Sequence, residues 1–214
     1  MICKKTSPDD LIRVAECHIK AFPESLSSRL GVNYCTKMIS FYIEDYRGVL
    51  FHLEEGDDIL GYYGGLMIKI PGQSGSASSM TQYTFKSLIL NLLIKPWLLF
   101  HHEIWNNLPL IRRNLYMRFF KHSERINASP GNPVKDFIPS MGLVVIGVSP
   151  KHQSKGYGSV LLKEFESRAI EEGFKRVHLS VKKNNYQAIA AYKKNGWEIA
   201  KEGDKELTMS KTLE

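Results

Sequence analysis

A segment from Val148 to Ser159 has the residue types of an anion-binding turn, with the sequence V-S-P-K-H-Q-S-K-G-Y-G-S. It follows an apolar run typical of a strand and leads directly into a helical pattern. Gly156 and Gly158 allow the backbone to approach a ligand closely, and the first amides of the following helix lack partners within it. Those amides and the helix dipole favour a negative charge. The segment therefore predicts a pyrophosphate-binding turn.

This pattern differs from two common nucleotide-binding loops. The sequence contains no G-x-x-x-x-G-K-[ST], and Gly156-Tyr157-Gly158 lacks the third glycine of the dinucleotide fingerprint. Nucleotide hydrolysis and hydride transfer are therefore not indicated. The segment resembles instead the acetyl-CoA motif of the GCN5-related N-acetyltransferases (GNAT), V-x-P-x-x-[QR]-x-x-G-x-[GA]. All fixed positions match, and they are Val148, Pro150, Gln153, Gly156 and Gly158.

A second segment strengthens the resemblance. After a β-branched run from Lys175 to Val181, the chain continues through Asn185 to Tyr192, Gly196 and Trp197. The pattern predicts a strand, an asparagine cap, a short helix and a glycine stop. It is similar to the family's other signature, N-x-x-A-x-x-x-Y-x-x-x-G-[FW]. Asn185 and Tyr192 are about two helical turns apart, so both are expected to project from one face of this helix.

The resemblance implies a GNAT fold, a mixed α/β domain with a mostly antiparallel central sheet flanked by helices. It also implies acetyl-CoA as the acyl donor and transfer of the acyl group to an amine. The pantetheine arm is expected to follow the strand that ends at Ile146, Gly147 and Val148. The turn around the pyrophosphate is expected to consist of Gln153, Ser154, Lys155, Gly156, Tyr157, Gly158 and Ser159. Asn185 is expected to hold the cofactor from the other side.

Tyr192 is the catalytic residue that the resemblance implies, as the general acid for the departing CoA thiolate. A phenol with an ordinary pKa of about 10 is protonated at neutral pH and can still donate a proton. The general base is not identified. Ser180 stands where several relatives have a glutamate, and the strand from Met141 to Val148 holds no carboxylate. A water chain, or one of several dispersed side chains, stays open as the base: Asp136, Glu103, His101 or His102.

The elements that position these residues follow from the hydrophobic pattern. Ser7 to Asp10 predicts the cap of a helix that runs to about Phe22, and a second helix is predicted from Tyr34 to Asp45. Two strands are predicted as a hairpin, Val49 to Leu53 and Ile59 to Ile70, and Gly64-Gly65 indicates a bulge or a close backbone approach. The remaining predictions are a strand at Met141–Val148, a helix at Tyr157–Glu172, and closing strands at Glu198–Lys201 and Glu206–Lys211.

A single domain is expected to cover residues 1–214, with a helical insertion at residues 72–137. The insertion is predicted to begin with a flexible stretch, Pro71 to Ser79, and to form helices from Gln82 to Lys121. Its most apolar run, Leu88 to Phe100, contains Lys95-Pro96 and is too short to span a bilayer, which needs about twenty residues.

The insertion is also basic, because residues 86–121 hold six lysines and arginines against Glu103 alone. Packing on the domain, packing on a second copy as a homodimer, a lid over the acceptor and a membrane-surface contact all stay open. The sequence contains no basic motif with interleaved aromatic residues, so binding to nucleic acid is not indicated. An anionic small molecule explains the charge equally well, since arginine binds phosphates in bidentate fashion.

The acceptor is expected to be a small-molecule amine, with a nucleotide-linked amino sugar first. The missing base favours an amine that is less basic than that of lysine. The amine of an amino sugar is such a group, because neighbouring oxygens withdraw electrons from it. The segment His18-x-x-x-Ala21-Phe22-Pro23, followed by Ser28-Arg29-Leu30-Gly31 and Tyr34, is similar to acetyltransferases of surface-polysaccharide pathways. The alternatives are a protein or peptide amine, and a CoA-binding module without catalysis whose insertion binds a membrane or a partner.

Length and composition agree with one globular domain, since 214 residues with 43% hydrophobic content can bury a core. Cys3, Cys17 and Cys35 have no metal-ligand spacing, so neither a metal site nor a disulfide framework is expected. Residues 1–10 are polar and hold no apolar signal core. We therefore expect a cytoplasmic protein with reduced thiols.

Overall fold

The structure, a computed structural model, describes residues 1–71, 73, 77–106 and 137–214. Its strands form one seven-stranded sheet with the order β1-β2-β3-β4-β5-β7-β6. Only the β4–β5 pair is parallel among the described pairs, which confirms the predicted mixed, mostly antiparallel sheet. The strands are β1 Ile2–Lys5, β2 Gly48–Glu55, β3 Asp58–Ile68, β4 Ser140–Val148, β5 Arg176–Lys182, β6 Glu198–Glu202 and β7 Glu206–Thr212.

Helices cover both faces of the sheet. They are α1 Leu11–Ala21, α2 Leu26–Leu30, α3 Val32–Glu44, α4 Ala77–Ile94, α5 His102–Asn106, α6 Tyr157–Glu171 and α7 Tyr186–Lys194. One core cluster lies between the sheet and α1 and α3, and includes Val14, Ile39, Tyr42 and Tyr62. The other lies between the sheet and α6, and includes Tyr63 and Phe165. Tyr62 and Tyr63 face opposite clusters because side chains alternate along a strand.

Most predicted elements are confirmed, and the differences have local causes. The helix predicted from Tyr34 begins at Val32, directly after α2, which the sequence did not predict because five residues carry little periodicity. β1 was also missed, since its four residues include two lysines. The flexible stretch predicted from Pro71 to Ser79 is wrong at its end, because α4 already begins at Ala77. Packing of Tyr83 and Leu88 against the α1–α3 cluster stabilises that helix.

The described part of the predicted insertion contacts the domain at both ends of α2. Lys95 Nζ donates to the backbone oxygens of Arg29 and Leu30, at 3.1 and 2.9 Å. Glu103 Oε2 accepts from the amide of Leu26 at 3.1 Å. A cation at the C-terminus of a helix and an anion at its N-terminus both interact favourably with the peptide dipoles. The insertion therefore holds α2 by charge as well as by packing.

Beyond residue 106, the helices predicted up to Lys121 lie outside the described residues. Among the helices that the structure describes, none is both long and apolar enough to cross a membrane.

Candidate active site

A gap between β4 and β5 forms the centre of the candidate site. The two strands pair only from Met141–Val177 to Leu143–Leu179, although β4 continues to Val148 and β5 to Lys182. On its other edge, β4 stays paired with β3 as far as Val148. The edge of β4 that faces β5 therefore offers unpaired backbone groups from residue 144 to residue 148. An extended chain such as a pantetheine arm can bind there through main-chain hydrogen bonds.

β4 contains a bulge at the point where it separates from β5, directly after Leu143. The register between β3 and β4 shifts at Gly64-Gly65, as the sequence predicted, but the extra residue is Val144 on β4 and not a residue of β3. Val144 and Val145 both pack toward the α1–α3 cluster, whereas Ile146 and Val148 pack toward the α6 cluster. An extra residue bends a strand and increases its twist. The bulge therefore accounts for the separation of β4 from β5.

Gly147 lies where the end of α1 approaches β4. A β-carbon at this position would stand 2.9 Å from Phe22 Cε2, 3.1 Å from Tyr62 Cε1 and 3.3 Å from Ala21 Cβ. A side chain there would displace packed neighbours. The glycine therefore brings Phe22 against the strand that the sequence assigns to the pantetheine arm.

The predicted pyrophosphate turn presents a row of free amides. The backbone N–H groups of residues 154–158 donate no hydrogen bond to any residue that the structure describes. The next two amides, of Ser159 and Val160, both donate to the Gly156 oxygen. Ser154 has φ 61° and Gly156 has φ 86°, both in the left-handed region. Alternation with this region turns successive amides toward one concave side, which forms an anion-binding nest. The N-terminus of α6 adds its dipole.

Gly158 supplies a test of whether a ligand fits this turn. Its φ is not in the left-handed region, and a β-carbon there would meet no heavy atom within 4 Å. Neither conformation nor packing therefore requires a glycine at this position. A diphosphate held against the amides would occupy the open space, so the residues fit acetyl-CoA. Gln153 Nε2 donates to the Val148 oxygen at 3.1 Å and closes the turn, and its contact with the pyrophosphate stays a prediction.

Lys155 is exposed, and the ring of Tyr157 packs beside that of His152 with a centroid distance of 6.0 Å. Asn185 is the N-cap of α7, since its Oδ1 accepts from the amide of Ala188 at 3.2 Å. Its carboxamide oxygen is therefore used within the protein. The predicted contact of Asn185 with the cofactor stays a prediction that rests on its amide nitrogen.

Tyr192 lies on the inner side of α7, against the α6 cluster. Its ring is 6.1 Å from that of Trp197, and its hydroxyl makes no hydrogen bond with any residue that the structure describes. Burial raises the pKa of Tyr192 from 10 to about 12. The phenol is thus protonated throughout the neutral range, which leaves its hydrogen available to a ligand.

A polar network links the helix of Tyr192 to α6, the helix that follows the predicted pyrophosphate turn. Buried Glu166 on α6 accepts from Trp197 Nε1 at 2.8 Å and from Lys211 Nζ at 2.7 Å. Lys211 also donates to the Asn195 oxygen, and Asn195 Nδ2 donates to Ser159 Oγ. The sequence prediction did not include this network. Its signal was Glu166 itself, a carboxylate on a helix face otherwise formed by Leu162, Phe165 and Ala169.

The candidate bases from the sequence are dispersed. Glu103 caps α2, and both ring nitrogens of His101 are engaged, by the Glu24 oxygen and the Glu103 amide. His102 stacks on His101 at 4.4 Å, and Asp136 lies outside the described residues. None of the described contacts brings them to Ser180 on β5.

His178 on β5 was not among the site residues predicted from the sequence. Val177, Leu179 and Val181 point into the α6 cluster, so His178 and Ser180 lie on the opposite face of β5. That face is the one on which Gly147 contacts Phe22. His178 stands at the level of Gly142, one residue before the strands separate. Desolvation, with a smaller contribution from Arg176, lowers its pKa below 6.5, so the imidazole is neutral at pH 7.

Within the described residues, no group of three or more His, Cys, Asp or Glu side chains could hold a metal ion. The three cysteines are free thiols, and burial raises the pKa of Cys17 to about 11 and that of Cys35 to about 12. Both are therefore protonated at neutral pH.

Comparison with known proteins agrees with this geometry. Residues 132–197 match the model of the acetyltransferase (GNAT) family, and this range contains the phosphate-binding turn and the helix of Tyr192. No curated protein matches the sequence at a significant level.

Solved structures share the fold over nearly the whole chain. The PaiA N-acetyltransferase from Thermoplasma acidophilum, in complex with coenzyme A, has a TM-score of 0.57 at 12% identity, over 99% of this chain and 98% of that one. The ribosomal-protein-S18-alanine N-acetyltransferase from Escherichia coli has a TM-score of 0.52 at 15% identity, over 99% and 93%. Naa20 from Chaetomium thermophilum, in complex with a bisubstrate analogue, has a TM-score of 0.52 at 15% identity, over 100% and 87%.

These low identities show the fold alone, and the matched segment contains the predicted donor-binding turn. The chain therefore has the fold of the GNAT acetyltransferases, and its residues 132–197 are similar to that family.

Proposed function

We propose that the protein transfers the acetyl group of acetyl-CoA to the primary amine of a small molecule, first a nucleotide-linked amino sugar. The observation that carries the small acceptor is the position of α2. Lys95 and Glu103 hold this helix at both ends, and the preceding loop begins at Phe22, which contacts Gly147 on β4. The insertion therefore fixes α2, and the loop before α2 borders the acceptor side of the strand, which supports a narrow approach for the acceptor.

Each part of the site has a defined task in this proposal. Acetyl-CoA supplies the acyl group as a thioester. The free amides of residues 154–158 bind its diphosphate, and the unpaired edge of β4 aligns the pantetheine arm beside the gap. Tyr192 donates its hydroxyl hydrogen to the leaving sulfur. A phenol with a pKa of about 12 keeps that hydrogen until a developing thiolate accepts it.

We propose His178 as the group that accepts the proton of the amine, directly or through water. It is neutral at pH 7 and lies on the acceptor-side face of β5. A weak base is sufficient when the amine is less basic than a lysine, whose pKa is about 10.4. The amine of an amino sugar meets this condition because the neighbouring oxygens withdraw electrons.

A second candidate acceptor is the α-amine of a protein. Among the structures with the same fold, the Escherichia coli enzyme acts on an alanine of ribosomal protein S18. An α-amine has a pKa of about 7.7–8.0, so it does not need a strong base either. The position of α2 favours the small molecule. A CoA-binding module without catalysis is the third candidate, and an unpartnered hydroxyl on Tyr192 disfavours it.

Release of free thiol from acetyl-CoA distinguishes these candidates. The purified full-length protein is tested with nucleotide-linked amino sugars, polyamines, amino acids, and peptides with a free N-terminus. We expect release with an amino sugar. Release with peptides alone would show that the acceptor is a protein amine and not a small molecule. If no acceptor produces release while acetyl-CoA binds, the non-catalytic module is favoured.

A further inference from the structure

A cleft of about 560 Å³ lies between α2 and the segment that follows α4. Its volume is in the range of pockets for small ligands, which combine apolar walls with a few polar groups. The apolar part of its lining consists of Trp97, Leu98 and Phe100. The polar part consists of two cations, one carboxylate and two imidazoles, which are Arg29, Lys95, Glu24, His101 and His102. Apart from Lys95, which holds α2, none of these residues has a role in the acetyl transfer proposed above.

The cations of the cleft are available to an anion. Arg29 pairs with Glu24 at 2.7 Å, but their side chains are 51% and 79% exposed. An ion pair in such contact with water contributes little to stability, so a phosphate can compete for the guanidinium in bidentate geometry. Lys95 uses two of its three N–H groups on the C-terminus of α2 and keeps a third.

The aromatic part of the cleft is fixed at one side and open at the other. His101 donates from Nε2 to the Glu24 oxygen and accepts from the Glu103 amide at Nδ1, and these two hydrogen bonds fix the orientation of its ring. Trp97 is 63% exposed and Phe100 is 80% exposed. Exposed rings beside arginine and lysine suit a ligand that carries both a planar ring and negative charge.

We propose that this cleft binds a nucleoside diphosphate group, with its base against Trp97 and Phe100 and its phosphates at Arg29 and Lys95. The inference rests on the proposed function in that this group would be the nucleotide of the acceptor. The position of the cleft agrees with this proposal. Glu24 lines the cleft and is two residues from Phe22, a span of at most about 7 Å. Phe22 in turn contacts Gly147 on β4. The sugar could therefore extend from the cleft toward the gap between β4 and β5.

Calorimetric titration with uridine diphosphate tests the cleft directly. The full-length protein is first saturated with CoA, so that the turn at residues 154–158 is occupied and cannot bind the probe. We expect binding that weakens by about fivefold to a hundredfold in Trp97→Ala and in Arg29→Gln, in line with the loss of a stacking or phosphate contact. Trp105→Ala is the matched control, an exposed tryptophan of the same segment outside the cleft. It should bind the probe as the unchanged protein does, and all variants should keep their affinity for CoA.

The opposite results overturn the proposal. These are no binding of uridine diphosphate to the CoA-saturated protein, or an affinity that neither substitution changes. Vesicles of phosphatidylglycerol form a further arm: if Trp97→Ala abolishes vesicle binding and leaves the nucleotide unaffected, the cleft belongs to a membrane contact. Failure of the two proposals is distinguishable. Nucleotide binding without sugar acetylation overturns only the acceptor, whereas sugar acetylation with a KM unchanged by both substitutions overturns only the cleft.

Discussion

Asn195 Nδ2 donates to Ser159 Oγ at 3.0 Å, which joins the end of the helix that carries Tyr192 to the first turn of the helix that carries the phosphate-binding amides. The two residues lie 36 positions apart in the sequence. The contact connects the two elements that the proposal assigns to the two ends of the donor, the diphosphate and the thioester. A second tie between the same elements runs from Glu166 to Trp197. We infer that the distance between Tyr192 and the turn is fixed before the donor binds.

Gly158→Ala tests the open space in the phosphate-binding turn. Its φ is compatible with alanine, and the added methyl group meets no protein atom, so the free energy of unfolding should stay within about 0.5 kcal/mol. The methyl group would instead occupy space needed by the diphosphate, so the Kd for acetyl-CoA should rise about tenfold or more. Calorimetry and urea unfolding measure the two quantities.

Gly173→Ala is the control for Gly158→Ala, because Gly173 has φ 80° at the far end of the same helix. It should reduce stability by about 1 kcal/mol and leave acetyl-CoA binding unchanged. An unchanged Kd in Gly158→Ala would show that the donor does not approach this glycine.

Glu166→Leu tests the buried network behind Tyr192. The substitution leaves Trp197 Nε1 without its acceptor and Lys211 Nζ with the Asn195 oxygen alone, so we expect a loss of about 1–3 kcal/mol in the free energy of unfolding. Glu166→Gln keeps an acceptor for Trp197 and should lose less. Glu164→Gln on the same helix serves as the control. Equal stability of Glu166→Leu and the unchanged protein would show that the network does not hold the two elements together.

His178→Gln tests the proposed base. Removal of a general base lowers kcat by about 10²- to 10⁴-fold, while the Kd for acetyl-CoA should not change. Ser180→Ala, on the same face of β5, should leave kcat within about twofold. If His178→Gln retains full kcat across the pH range, the proton of the amine leaves by another route.

The pH dependence of kcat tests the state of Tyr192. Its pKa is raised to about 12, so the hydroxyl loses its proton only as the pH rises toward that value. Ionisation of Tyr192 should therefore cause no decline in kcat between pH 7 and pH 10. A decline centred near pH 9 that disappears in Tyr192→Phe would contradict this assignment.

Local patterns in the sequence predicted the turn and the helix of Tyr192 because both depend on residues close together in the chain. Gly156 has the left-handed φ expected of such a turn, and Asn185 and Gly196 begin and end α7 as predicted. The strands were predicted for the same reason, since alternation and turn residues are local signals.

The relationships that were missed depend on distant residues. Glu166 and Lys211 are 45 positions apart, and nothing in either segment indicates the other. The placement of His178 required the face of β5 and the residue at which β4 separates from it, and both follow from sheet register. α2 is five residues long, and its stability depends on Lys95 and Glu103 from the insertion.

Kinetics of Tyr192→Phe give the sharpest test of catalysis at this site, because the substitution removes one hydroxyl and keeps the packing of the ring against Trp197. Thiol release from acetyl-CoA is followed with the acceptor that the panel identifies, and acetyl-CoA binding is measured in parallel. We expect a kcat lower by about 10²- to 10³-fold with a Kd for acetyl-CoA changed less than about twofold. An undiminished kcat would contradict the role of Tyr192 as the donor to the leaving sulfur.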